Sequence, residues 1–218
     1  MWYYISIRRW EKVIEKICDK LTQKIRNQNP EIDDERAEVI NYGLQLIIGE
    51  VPKLILLFAV AVIFKIAPLV IFAYMTMLPY KVVAGGFHLK TNIGCTLGTF
   101  LIYYGNVFIS KSIIFTNIWI KAIVCFFTWI LAIIMISKYA PADTVNLPIL
   151  RNKDRKIKKI LSYVFATITL IVGLLIKNDT LSNILIFNVL IETFCITEFA
   201  YKITKNEYGY RTYLKQNI

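Results

Sequence analysis

The segment KVVAGGFHLKTNIGC (81–95) holds the only histidine in 218 residues, His88, and a cysteine seven positions on, Cys95. A thiol with an imidazole in reach is a nucleophile with its general base, the pairing of a cysteine protease. On an unbroken helix a seven-residue step returns both side chains to one face but about 10.5 Å apart along the axis, too far for proton transfer. A working dyad therefore needs a break. Gly85-Gly86 supply a flexible approach, and Thr91 or Asn92 is a candidate N-cap. Cys95 then falls in the first turn or so of the next helix, with His88 folding back from the preceding loop. A helix N-terminus and a neighbouring imidazole both favour a thiolate, the attacking form. Gly94 leaves room for a substrate backbone. First-turn N–H groups or the Asn92 side chain are candidate oxyanion donors.

The elements that position this segment are membrane helices. A hydrophobic content of 56% and a mean hydropathy of +0.53 leave too little polar surface for a soluble globule. Apolar blocks at Leu44–Phe64, Pro68–Tyr80, Gly94–Ser110, Trp119–Ser137, Ile160–Ile176 and Leu181–Ala200 predict an all-α polytopic fold of about six transmembrane helices. The second block is short for a span and reads equally as a re-entrant segment. Pro79 to Lys90 is expected to be irregular at the membrane surface, where such backbone lines a cavity or is buried in protein.

Ahead of the spans, Trp10, Val13, Ile14, Ile17, Leu21 and Ile25 recur at helical spacing among Arg8, Arg9, Lys12, Lys16, Lys20 and Lys24. This is an amphipathic helix suited to an anionic leaflet or to packing on a protein surface. Asp33, Asp34 and Glu35 follow, where a helix start welcomes negative charge. The expected organisation is an N-terminal amphipathic segment (1–42), a membrane-embedded domain (43–203) and a polar tail (204–218). No signal-peptide pattern opens the chain.

The net charge of +11 follows membrane topology better than nucleic acid. With six crossings, 22 of the 26 Lys and Arg fall on one side, which predicts cytoplasmic termini and a cytoplasmic active site in the cell membrane. The main basic loop carries Arg151, Lys153, Arg155, Lys156, Lys158 and Lys159, a topology signal and a candidate contact for anionic lipid or an acidic peptide. The cysteines share no CxxC spacing and one histidine excludes an HExxH site, so no metal or cofactor is expected. Glu50 and Glu192 are read as ion-paired with Lys53 and Lys202.

Together, Lys81, Gly85, Gly86, His88 and Cys95 with Ala140, Pro141, Ala142, Asp143 and Pro148 of YAPADTVNLPI resemble the accessory gene regulator B family of membrane peptidases. The resemblance implies cleavage of a small AgrD-like propeptide near its acidic C-terminal part, with Cys95 carrying an acyl-enzyme thioester. An internal cysteine or serine of the substrate then closes a thiolactone or lactone used in quorum sensing. It also implies a homodimer. Lys81 stands where the family commonly has arginine and cannot make the same bidentate contacts. Asp143 is the candidate partner for the imidazole. Two rivals are a peptide or small-solute transporter, which predicts polar groups facing one another at mid-membrane, and a non-catalytic scaffold.

Overall fold

The computed structural model describes residues 2–29, 31–89, 91–115, 117–145 and 148–216, without the side chains of 2–13, 35, 42, 46 and 92. Among the described residues there are nine helices and two isolated β-bridges. The chain divides into two compact units, Met1–Ile63 and Phe64–Ile218.

The first unit is a helical hairpin of α1 (Trp2–Gln28) and α2 (Asp34–Ile63). Asp33 caps α2 by accepting from the Arg36 amide at 2.8 Å, so the acidic run sits at the positive end of the helix dipole as expected. Cys18 and Thr22 of α1 and Ala37 of α2 are buried. Asn41 donates to Asp19 at 2.6 Å, and Arg26 pairs with Asp34 at 2.6 Å. Ile17, Leu21 and Ile25 stay exposed as an apolar stripe. Arg8, Arg9, Trp10, Lys12 and Val13 lie outside the described side chains. Glu50 and Lys53 form the expected pair, at 2.7 Å.

The second unit begins with α3 (Ala67–Ala84), α4 (Asn92–Ser112), α5 (Ile118–Tyr139), α6 (Asn152–Leu175) and α7 (Asp179–Cys195), and ends with two short helices, α8 (Glu198–Ile203) and α9 (Gly209–Gln216). α2 to α6 are each long and apolar enough to span a bilayer. α7, with 17 residues, reaches about 26 Å. The block read as short or re-entrant is a continuous 18-residue helix. It contains Pro79 and runs on through Lys81 to Ala84, so irregular backbone starts only at Gly85. A spanning helix tolerates an internal proline when neighbouring helices support the freed carbonyl.

α7 packs against α3, α4, α5 and α6 and is buried along most of its length. Its polar residues bind these neighbours. Asn188 donates to the Ala73 carbonyl and to Thr76, both at 2.9 Å, and accepts from Asn106 at 2.8 Å. Asn183 donates to the carbonyls of Ser110 and Ile113. Such bonds hold helices together where burial of apolar surface gives little drive. Lys121, buried on α5, donates to the Ile176 carbonyl at 2.7 Å and closes the end of α6. The outer faces of α4, α5 and α6 carry Leu97, Leu101, Phe127, Ile171 and Leu175, exposed as expected of lipid-facing side chains. The fold is an all-α, multi-pass membrane protein.

Candidate active site

The two sequence signatures meet at one end of this unit. α3 ends at Gly85, whose φ of +82° and ψ of −148° belong to a region open essentially to glycine alone. A Cβ there would run into the Ala142 carbonyl. Gly86 donates to that carbonyl at 2.9 Å, and the Ala142 amide donates to the Ala84 carbonyl at 2.7 Å, a short parallel bridge. The glycine pair therefore does more than give flexibility: it admits the 140–143 segment against the chain leading to His88.

Beyond the bridge, the loop turns into α4. Thr91 is the N-cap, with an extended backbone and a side chain accepting from the Gly94 amide at 3.1 Å. Cys95, half-buried and not in a disulfide, makes the first intrahelical bond, from its amide to the Thr91 carbonyl at 2.9 Å. The cap and this bond occupy the Gly94 and Cys95 amides, so the first-turn donors that remain for an oxyanion are those of Asn92 and Ile93. The Asn92 side chain lies outside the described residues.

Gly94 and Gly98 form a one-turn groove that receives Leu89. A Cβ on Gly94 would lie 2.8 Å from Thr91 Oγ1 and 3.7 Å from Leu89 Cβ, and one on Gly98 would lie 3.0 Å from Leu89 Cδ1. The space at Gly94 is thus used to seat the loop, where the sequence suggested room for substrate. His88, exposed, precedes Leu89, and Cys95 follows Gly94, so this contact ties the loop that bears His88 to the first turns of the helix that bears Cys95. Asn206 holds the loop from the other side, donating to the His88 carbonyl at 2.7 Å.

Asp143 is buried and anchored. Its Oδ2 accepts from the Ile149 amide at 2.8 Å, from Arg155 at 3.0 Å and from the Tyr210 amide at 3.1 Å. The imidazole is not among these partners. Arg155 also reaches the carbonyls of Ile149 and Pro141 and lies 4.2 Å from the centre of the Tyr210 ring. Tyr201 donates to the carbonyls of Ala142 and Asp143, and stacks on Tyr208 at 4.1 Å. Burial pushes both phenols above the ordinary tyrosine value, which keeps them protonated as donors. The tail, silent in the sequence, thus forms part of the site's frame. Tyr208, Tyr210 and Tyr213, three tyrosines within six residues of a supposedly polar tail, were the available signal.

The basic loop separates by role. Arg155 is committed to Asp143, and Lys159 donates to the Ser137 carbonyl at 2.5 Å. Arg151 lies 3.7 Å from Asp154. Lys153 and Lys156 line a groove of about 330 Å³ with Asn152, Ile157 and Ile160. Lys158 is half-buried. Cations at a helix N-terminus oppose its dipole, so helix stability does not explain their placement.

Glu192 departs from the sequence reading. It is fully buried beneath Gly86, and Lys202 pairs instead with Glu198, four residues away on its own helix, at 3.1 Å. Lys81 is half-buried in the last turn of α3.

The accessory gene regulator B pattern matches residues 18–196 of this chain. The chain belongs to the accessory gene regulator B family. Membership gives it a role in the accessory gene regulator quorum-sensing system. An AgrB-like protein of Clostridium acetobutylicum is 23% identical over 209 residues, covering 94% of this chain and 97% of its own length. Another, from Clostridium perfringens, is 28% identical over 75% of this chain and 77% of its own. One from Listeria monocytogenes is 26% identical over 89% and 91%. No solved structure matches. The family match spans both α3–α4, with the Gly85–Cys95 loop, and the Ala140–Asp143 segment that bridges to it, but ends before Asn206 and Tyr208.

Proposed function

We propose that this chain is a membrane-embedded cysteine endopeptidase that cuts the C-terminal part from a small AgrD-like propeptide and cyclises the remainder. The Cys95 sulfur attacks the scissile carbonyl while His88 takes the thiol proton. The C–N bond breaks, His88 returns that proton to the leaving amine, and the new carboxyl end stays on Cys95 as a thioester. An internal cysteine or serine of the substrate then attacks the thioester. The ring closes as a thiolactone or lactone, and the proton of the attacking group returns to Cys95. The amides of Asn92 and Ile93 are the available oxyanion donors. Forming a thioester from a peptide bond is uphill, whereas thioester exchange is nearly isoenergetic. The intermediate therefore needs shielding from water and release of the tail, for which a pocket at the bilayer surface is suited.

The observation that supports this reading is the Thr91-capped start of α4, with Leu89 seated on Gly94 and Gly98, which ties the loop bearing His88 to the helix start bearing Cys95. Basic residues crowd this same end of the unit, supporting a cytoplasmic site. Lys153 and Lys156 are the candidates to meet anionic lipid or the acidic part of the peptide. A homodimer is part of the proposal.

Purified protein is reconstituted with such a peptide, and wild type is compared with Cys95→Ala, Cys95→Ser and His88→Ala by intact mass. The expected result is release of the tail and a hydroxylamine-sensitive acyl adduct in wild type alone. Tail release by Cys95→Ala would place the nucleophile elsewhere and favour an export or scaffold role.

A further inference from the structure

His88 lies in the loop between α3 and α4, so neither helix fixes it directly. Two hydrogen bonds pin this loop, and both lead to the Ala142–Thr144 segment. At the loop's start, Gly86 donates to the Ala142 carbonyl at 2.9 Å. Two residues on, the Asn206 side chain donates to the His88 carbonyl at 2.7 Å. Asn206 is itself held: its amide donates to the Tyr201 carbonyl at 2.8 Å, and its carboxamide also meets the Thr204 hydroxyl at 2.9 Å. On either side of it the chain is fastened to residues 142–144. Before it, the Tyr201 hydroxyl reaches the carbonyls of Ala142 at 2.9 Å and Asp143 at 3.1 Å. After it, Tyr208 bridges to Thr144, the Gly209 amide donates to the Asp143 carbonyl at 3.3 Å, and the Tyr210 amide donates to the Asp143 carboxylate at 3.1 Å. A Cβ on Gly209 would run into the Thr144 carbonyl, so the fit of strap to segment is close. Residues 201–210 are thus a strap tied down at both ends, with Asn206 between the ties and bonded to the histidine loop. The strap lies beyond the family match, which covers 18–196.

We propose that Asn206 is a positioning residue for His88, and that Asp143 acts on the histidine through it by anchoring the strap from which Asn206 bonds the loop. The proposal rests on the reading of His88 as general base. A donor on the His88 carbonyl fixes the main chain of that residue and leaves both ring nitrogens free for proton transfer. A general base works only within hydrogen-bond reach of the proton it takes, so a loosened loop slows the chemical step and spares substrate binding. The effect of Asn206 passes through the His88 backbone, and that of Asp143 through the strap.

The chain has one histidine, so ring-labelled histidine gives one imidazole signal by nuclear magnetic resonance in full-length protein made without a histidine tag and held in micelles. That signal is compared in wild type, Asn206→Ala, Asn206→Asp, Gly209→Ala and the Asn206→Ala/Gly209→Ala double variant. Asn206→Asp keeps the shape and loses the donor, and Gly209→Ala pushes the strap off Thr144 without touching Asn206 or Asp143. All three single variants are expected to displace or broaden the signal. The double variant should go no further than the stronger single, because both changes release one bond. Thr212→Ala, whose hydroxyl bonds only Glu207 and Tyr208 within the tail, should leave the signal in place. In peptide release, Asn206→Asp should lower kcat about tenfold with KM within about twofold of wild type. A wild-type signal in Asn206→Ala, effects that add in the double variant, or a displaced signal with wild-type kcat overturns the proposal. Should Asn206→Ala fail to fold, a folded Gly209→Ala protein with the wild-type signal overturns it equally. Cleavage by His88→Ala would remove the role of His88 as base while the signal still reports whether Asn206 holds the loop, so the two failures are distinct.

Discussion

Replacing Gly85 with alanine tests the junction on which the site rests. At φ +82° and ψ −148°, a Cβ adds backbone strain of order 1–3 kcal/mol and meets the Ala142 carbonyl. Relieving the clash moves Ala142 and breaks two bonds, Gly86 to Ala142 and Ala142 to Ala84, each worth about 1 kcal/mol net. Reduced freedom of the unfolded chain returns up to about 1 kcal/mol. The net expected loss is about 3 kcal/mol. Gly105 in α4 is the internal control: a Cβ there meets nothing within 4 Å, and alanine should stabilise the helix by about 0.5–1 kcal/mol. Denaturant unfolding in mixed micelles, followed by tryptophan fluorescence, measures both. Gly85→Ala should also lose peptide cleavage, since Ala142 no longer holds the loop before His88. A Gly85→Ala protein within about 1 kcal/mol of wild type would refute the strain and bridge argument.

Asn206→Ala removes the bond to the His88 carbonyl and should lower kcat about tenfold with little change in KM or unfolding, checked by peptide-release kinetics. Arg155→Ala leaves the Asp143 carboxylate buried without its cation and should cost about 3 kcal/mol by denaturant unfolding. Arg155→Lys should recover little, because it loses the fork and the stacking on Tyr210. Lys153→Ala with Lys156→Ala should leave stability unchanged and weaken binding to anionic vesicles or acidic peptide, with the deficit shrinking as salt rises.

Much of this architecture is written locally. Apolar blocks mark the spans, Thr91 lies at a legible cap position, and Asp33 opens α2 as its charge suggests. The misreadings share a physical cause: each depended on contacts distant in sequence. Pro79 looked like the start of a loop because a lone sequence does not reveal the helices packed around it. Glu192 was matched to Lys202, a cation ten residues on, but α7 turns the acid inward beneath Gly86 while Lys202 finds Glu198 one turn away. Asn206 reaches the His88 loop across 118 residues, and no periodicity announces such a bond. Asp143 was picked out by its motif, yet only the fold shows its carboxylate answering Arg155 and two backbone amides.

The polar residues of α7 bear on the choice between a conduit and a fixed scaffold for chemistry. Asn183 and Asn188, with Asn106, Ser110 and Thr76 on neighbouring helices, form a column of polar groups through the bundle. A solute path needs polar groups that face water or cargo. Here the amide donors are spent on neighbouring helices, four of them on backbone carbonyls, so separating the helices would expose those carbonyls to hydrocarbon. That cost makes α3, α4 and α7 one rigid body, and these are the helices that carry Gly85, Cys95 and Glu192. Chemistry between a loop imidazole and a helix thiol requires placement to within about half an ångström. A bundle locked through its centre can provide that placement, and the short bridge at Ala142 then has only the loop left to fix.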